Sequence, residues 1–165
     1  MTNGGTPERW IGPEGLFSAT CVLAGDATGG VFSLVRHVLA PGILGAPPHR
    51  HSDEDEHSFV LEGEVAFELG DQVVVARQGD VVPKPRGQMH TFWNPADQPA
   101  RVFEIITPAG FEDYFAELAE IIPTTEGELP DFGRLAAAAE RHRLDLDMDR
   151  LGAVMSAHGV RLPGM

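Results

Sequence analysis

Between Gly15 and Thr107 turn formers interrupt the chain too often for a helix to persist, and the stretches they leave are apolar and β-branched. Residues 16–24 and 31–39 read as strands, because branched side chains pack well on a pleated surface. Gly25-Asp26-Ala27-Thr28-Gly29-Gly30 supplies the turn between them. From Pro41 to Pro48 the prolines remove amide donors that a helix needs. Residues 58–69, 72–76, 80–82 and 100–107 continue the strand pattern, with turn signals at Gly70-Asp71, Gln78-Gly79 and Asn94-Pro95. Short strands without intervening helices predict an all-β antiparallel sandwich or barrel, because parallel neighbours need long crossovers.

The pattern changes after Pro108. Phe111, Phe115, Leu118 and Ile122 recur at helical spacing, Glu112 and Asp113 suit the positive end of a helix dipole, and Pro123 ends the run. A second helix is expected over residues 131–143, around the alanine-rich 135–139, and a third over 147–158, ended by Gly159. Gly4, Gly5, Pro7, Gly12 and Pro13 mark a flexible or loosely attached lead-in. The expected organisation is therefore a lead-in over 1–14, a barrel over 15–108 and a short α-helical extension over 109–165 packed on the barrel.

Composition removes several classes of function. With 165 residues, 42% of them hydrophobic, the chain can bury a core as one domain. The single Cys21 permits no internal disulfide. A formal charge of −13 repels phosphate backbones and anionic headgroups, so neither nucleic acid nor membrane is an expected partner. No apolar run reaches the roughly 20 residues that span a bilayer, and MTNGGTPERW lacks the features of a secretory signal. The expectation is a cytoplasmic protein with a small-molecule substrate.

Three of the seven histidines and one glutamate stand out by their spacing: His49 and His51 form an H-x-H pair, Glu56 follows, and His90 lies on a later turn-then-strand. Residues two apart on a strand face the same side, so His49 and His51 can meet one ion. The stretch from His49 to Gly63 resembles the first cupin motif, H-x-H, three or four residues, Glu, six residues, Gly. The stretch from Gly79 to Asn94 resembles the second, G-x5-P-x-G-x2-H-x3-N, at every fixed position. One departure is Ile43, where the family has a glycine and this chain sets Gly42 one residue earlier.

This resemblance implies a double-stranded β-helix, the jelly-roll barrel, with His49, His51, Glu56 and His90 around one divalent transition metal. Imidazole and carboxylate suit Fe, Mn, Ni, Co, Cu or Zn without choosing among them. His57, adjacent to Glu56, faces the other side of its strand and is not expected to ligate. If Glu56 points inward, alternation brings Ser58 and Val60 with it, and His90 brings Phe92. On the strand over 100–107 either Val102 and Glu104 or Phe103 and Ile105 face inward, and the apolar pair is the expectation. The pocket is thus expected to hold Ser58, Val60, Phe92, Phe103 and Ile105.

A narrower likeness lies in Thr28-Gly29-Gly30-Val31-Phe32-Ser33, Pro47-Pro48-His49-Arg50-His51, Phe59-Val60-Leu61-Glu62-Gly63-Glu64 and Thr107-Pro108-Ala109-Gly110-Phe111-Glu112. These segments resemble small bacterial single-domain cupins related to quercetin dioxygenases. The resemblance implies a dioxygenase, with dioxygen as co-substrate, acting on a small phenolic or enolic compound, flavonol-like or polyketide-like, with Glu56 as catalytic base. The same metal site also suits a non-redox isomerase, cyclase or lyase, or a ligand-binding cupin without catalysis. Exposed sheet edges invite strand addition, so a homodimer is the expected assembly.

Overall fold

The computed structural model describes residues 7–165. Nine strands follow one another: β1 (Phe17–Leu23), β2 (Ser33–Leu39), β3 (His49–His51), β4 (Asp55–Glu62), β5 (Glu64–Leu69), β6 (Gln72–Arg77), β7 (Val81–Lys84), β8 (His90–Trp93) and β9 (Ala100–Thr107). Alternation decides which face each strand buries. In β2 it is Ser33, Val35, His37 and Leu39, and in β9 it is Ala100, Val102, Glu104 and Ile106. Two antiparallel sheets result, one in the order β1-β2-β9-β4-β7 and the other containing β3-β8-β5-β6 in that order, with a short C-terminal strand outside β3. The chain passes repeatedly from one sheet to the other, which makes a double-stranded β-helix. Val35, Leu39, Val60, Val65, Phe67, Val102 and Ile106 meet between the sheets, each almost fully buried. Each such side chain contributes about 1.5–3 kcal/mol of apolar transfer.

Residues 58–69, expected as one strand, divide at Gly63, whose φ is 76°. β4 lies in one sheet and β5 in the other, and the left-handed glycine makes the change of direction between them. A side chain has no space there, since an added Cβ would lie 2.9 Å from the Pro99 carbonyl oxygen.

The expected loose lead-in is corrected for part of its length. Residues 1–6 lie outside the described residues. Residues 9–11 are tied to β1: the Ala19 amide donates to the Arg9 carbonyl at 2.9 Å and the Ile11 amide to the Phe17 carbonyl at 2.9 Å. Ile11 is buried in the core, which is the physical reason the segment adheres.

After Thr107 come α1 (Glu112–Ile121), α2 (Phe132–Arg141), β10 (Leu144–Leu146) and α3 (Met148–His158). Asp131 and Asp147 cap α2 and α3 by accepting from the Arg134 and Arg150 amides. Gly159 ends α3 in the left-handed conformation. β10 was not expected, because three residues are too few for a periodic signal. It pairs with β3, setting Leu144 opposite His51 and Leu146 opposite His49. Leu151, Val154 and Val160 pack with Leu44, Ala66 and Trp93, while Phe111, Tyr114 and Ile121 join the barrel core.

Gly63→Ala is expected to lower stability by about 1–3 kcal/mol, since it adds both a strained φ and a steric clash. Urea unfolding measures this, and an unchanged midpoint would show that the β4–β5 junction tolerates a side chain.

Candidate metal centre

Three elements of secondary structure bring four donors together. His49 and His51 are the buried first and last residues of β3, Glu56 is the first buried residue of β4, and His90 opens β8 directly opposite His49. Their ligand atoms all lie within 4.8 Å of one another. Two donors on opposite sides of one transition-metal ion stand about 4.2 Å apart, so small adjustments suffice.

The nitrogens are already oriented. His49 Nδ1 donates to the Pro47 carbonyl at 2.8 Å and His90 Nδ1 to the Gln88 carbonyl at 2.9 Å. Each bond fixes the tautomer and leaves the Nε2 lone pair available, as metal-bound histidines require. Both ring nitrogens of His51 are buried without a hydrogen bond, although Glu56 Oε1 lies 3.3 Å from Nε2. An orphaned imidazole among carboxylates is what an ion would satisfy, so the four residues fit a metal and together can hold one.

Electrostatics favour a neutral donor at His49 and at His90, whereas at His51 an ion would have to displace a proton. Burial, reinforced by the neighbouring His90 and His51, holds His49 well below the usual imidazole range, and burial also lowers His90. Both are therefore neutral at physiological pH, as a donor to a metal must be. Burial opposes charge on His51, but Glu56 and Glu54 outweigh it and push the group up to about 9. Burial likewise opposes charge on Glu56, yet His51 and Lys84 keep it ionised, well below the usual carboxylate range.

Lys84 is the residue that sequence reasoning missed. It is 1% exposed, and its Nζ lies 2.9 Å from Glu56 Oε2 and 2.8 Å from Glu104 Oε2. Glu104 also accepts from the Ser58 hydroxyl at 2.9 Å. Strand register builds this cluster: Lys84 on β7 faces Glu56 on β4, and Ser58 on β4 faces Glu104 on β9. Burial pushes Glu104 up to about 7, against the pull of Lys84. Glu56 and Glu104 outweigh burial at Lys84 and raise it above its usual value. The available signal was parity, since Lys84 lies two residues beyond buried Val82.

A cavity of about 520 Å³ opens onto His49 and Glu56. His37, Phe17, Phe92 and Glu104 line it from the barrel, Phe111 from the N-cap of α1, and Tyr114, Phe115 and Leu118 from α1 itself. Leu135 of α2 and Leu144 of β10 complete that side, so the C-terminal extension roofs the barrel mouth. Of the expected pocket residues, Phe92 reaches the cavity. Ser58 is spent on Glu104, and Val60 is packed in the core.

Phe103 and Ile105 require a correction. They lie on the half-buried outer side of β9, while Val102 and Glu104 turn inward. The apolar pair is displaced because Lys84 and Ser58 give Glu104 buried partners, which removes the penalty that favoured Phe103 and Ile105. His57 is half-buried on the face opposite Glu56 and stands outside the donor group. His142 contacts Glu117, and His158 stacks on Trp93.

Residues 35–106 match the family model described as Cupin domain. No curated protein matches the sequence. Among solved structures, the chain is similar to KdgF from Halomonas sp., at 18% identity and TM-score 0.57, over 67% of this chain and 92% of that one. It is similar to a predicted oxalate decarboxylase from Thermotoga maritima, at 24% identity and TM-score 0.57, over 66% and 96%. The polyketide cyclase RemF from Streptomyces resistomycificus matches at 20% identity and TM-score 0.55, over 65% and 77%. At these identities the likeness is one of fold.

His90→Ala and Glu56→Ala are each expected to weaken metal binding by more than the roughly 10–100-fold that outer partners of a ligand carry. His57→Ala should retain wild-type metal content; elemental analysis of the purified variants decides both. Lys84→Met strands two buried carboxylates, and should destabilise the metal-free protein by about 3–5 kcal/mol. Adding Glu104→Gln should recover part of that loss in urea unfolding, and no recovery would show that Lys84 acts by packing alone.

Proposed function

Taking the cupin domain over residues 35–106 as the frame, we propose that the chain is a metal-dependent dioxygenase acting on a small phenolic or enolic compound. The observation that carries this reading is the cavity, whose mainly apolar and aromatic wall ends on two metal-ligating side chains, His49 and Glu56. Such a pocket suits a flat, largely apolar molecule whose one polar end meets the ion. A bound metal would supply a Lewis-acidic docking point for a substrate oxygen and, if redox-active, for dioxygen.

The chain's own residues then have definite tasks. Glu56, held ionised among His51 and Lys84, can accept a hydrogen bond from a substrate hydroxyl, and the motif-level likeness assigns it the role of base. His37 donates from Nδ1 to the Ser18 carbonyl at 3.1 Å, and burial holds it down to about 4, so it stays neutral with Nε2 as an acceptor. Phe111, Tyr114 and Phe115 exclude water from the mouth. The motif-level likeness to quercetin dioxygenases favours oxygen chemistry over other uses of the same ligands.

A second reading, non-redox isomerisation or cyclisation, is favoured by Glu104. This carboxyl lines the cavity and titrates near neutrality, so it can give or take a proton without any oxidant. The fold leaves both readings open, since the same barrel serves proteins described as a polyketide cyclase and as a predicted oxalate decarboxylase.

The test incubates metal-loaded protein with phenolic and enolic compounds under labelled dioxygen and, separately, under nitrogen. Oxygen uptake with label in the product is the expected outcome. Conversion that proceeds equally under nitrogen would replace dioxygenation by the non-redox reading. Binding without conversion in either arm would make the protein a ligand-binding cupin.

A further inference from the structure

His37 is a buried polar side chain that neither the donor group nor the Lys84 cluster uses. It lies on the inward face of β2, 1% exposed, among three aromatic rings. Phe17 stacks on it at 5.3 Å between centroids, Phe92 is tilted against it at 5.7 Å, and Phe115 of α1 meets it edge-on at 5.2 Å. A carbonyl oxygen only accepts, so the contact with Ser18 places the ring proton on Nδ1 and leaves a lone pair on Nε2. Burial opposes a second proton on the ring. Among the described residues no group donates to that lone pair, and the ring lines the cavity.

The other polar side chains of the barrel wall are occupied. His49 and Glu56 belong to the donor group, and Glu104 holds Lys84 and Ser58. Register also sets His37 apart from the donors. His37 and Val60 both pair with Val102, so Glu56 lies two strands across the sheet from His37 and four residues along it. Two strand spacings are about 10 Å and four residues about 13 Å. One functional group does not span that separation, whereas a molecule of several rings does. Buried acceptors are normally paired, and this one faces open space of ligand size instead of a protein donor.

We propose that the cavity takes a bifunctional ligand, whose second polar group is a hydroxyl or N–H that donates to His37 Nε2, remote from the end that meets His49 and Glu56. This deepens the proposed function and rests on it for the phenolic or enolic head of the ligand. The three rings hold the imidazole in place, so His37 selects by chemistry rather than by size. A hydroxyl at that position gains a hydrogen bond. A methyl ether there sets oxygen lone pairs against a nitrogen lone pair and leaves the acceptor unpaired.

Calorimetric titration of the zinc-loaded full chain under nitrogen tests this apart from any oxygen chemistry. The probes are unsubstituted flavonol, its derivatives with one further hydroxyl on the phenyl ring, and the matching methyl ethers. One hydroxyl derivative is expected to bind about tenfold more tightly than its ether, the size of one neutral hydrogen bond. In His37→Phe, which keeps a ring in the aromatic cage, that preference should fall to within about twofold. A merely structural role would weaken every probe alike and leave the preference standing, which would overturn the proposal. So would a wild type that prefers no hydroxyl over its ether, or that binds none of the probes, and both are read without the variant. A hydroxyl preference without oxygen uptake would keep the assignment of His37 and remove dioxygenation. Oxygen uptake without the preference would do the reverse.

Discussion

An ammonium group inside an apolar barrel costs several kcal/mol of lost hydration unless its charge is matched at contact distance. Lys84 meets that condition twice, with Glu56 Oε2 at 2.9 Å and Glu104 Oε2 at 2.8 Å, and the rings of Phe67 and Phe92 lie within 6 Å of it. The consequences spread through three strands of one sheet. Glu56 stays ionised within the donor group, Glu104 is drawn into the cavity, and Ser58 is committed to Glu104. A polar cluster of this kind is stable only when every member is satisfied, which ties the register of β7, β4 and β9 to the electrostatics of the centre.

The C-terminal extension belongs to the same design. β10 adds to β3, the strand that carries His49 and His51, and so braces the ligands from the side. α1 places aromatic rings over the barrel mouth, where Phe111 meets His51 edge-on with ring centroids 4.3 Å apart. The helices therefore take part in the cavity.

The strands were legible in the sequence for physical reasons, and the donor set through its resemblance to the two cupin motifs. Alternation, turn residues and H-x-H spacing are local, and each constrains the backbone within a few residues. Asp131, Asp147 and Gly159 announced helix ends for the same reason, through groups that bond within one turn. What misled was the rule that apolar side chains face inward. It chose Phe103 and Ile105 over Glu104 because the partner that makes a buried glutamate tolerable lies on β7, twenty residues away in sequence and one strand beyond β4 in the sheet. β10 escaped notice because its stability comes from β3 rather than from its own three residues.

The sequence by itself determined the strand-rich barrel and the helical tail, which rest on short-range periodicity, and its resemblance to two family motifs pointed to His49, His51, Glu56 and His90 as one donor group. Tertiary structure alone decided that Lys84 bridges Glu56 and Glu104 and that the tail roofs the cavity. Those outcomes depend on which strands become neighbours. Cross-strand distance, unlike spacing along a chain, exists only once the sheets have closed.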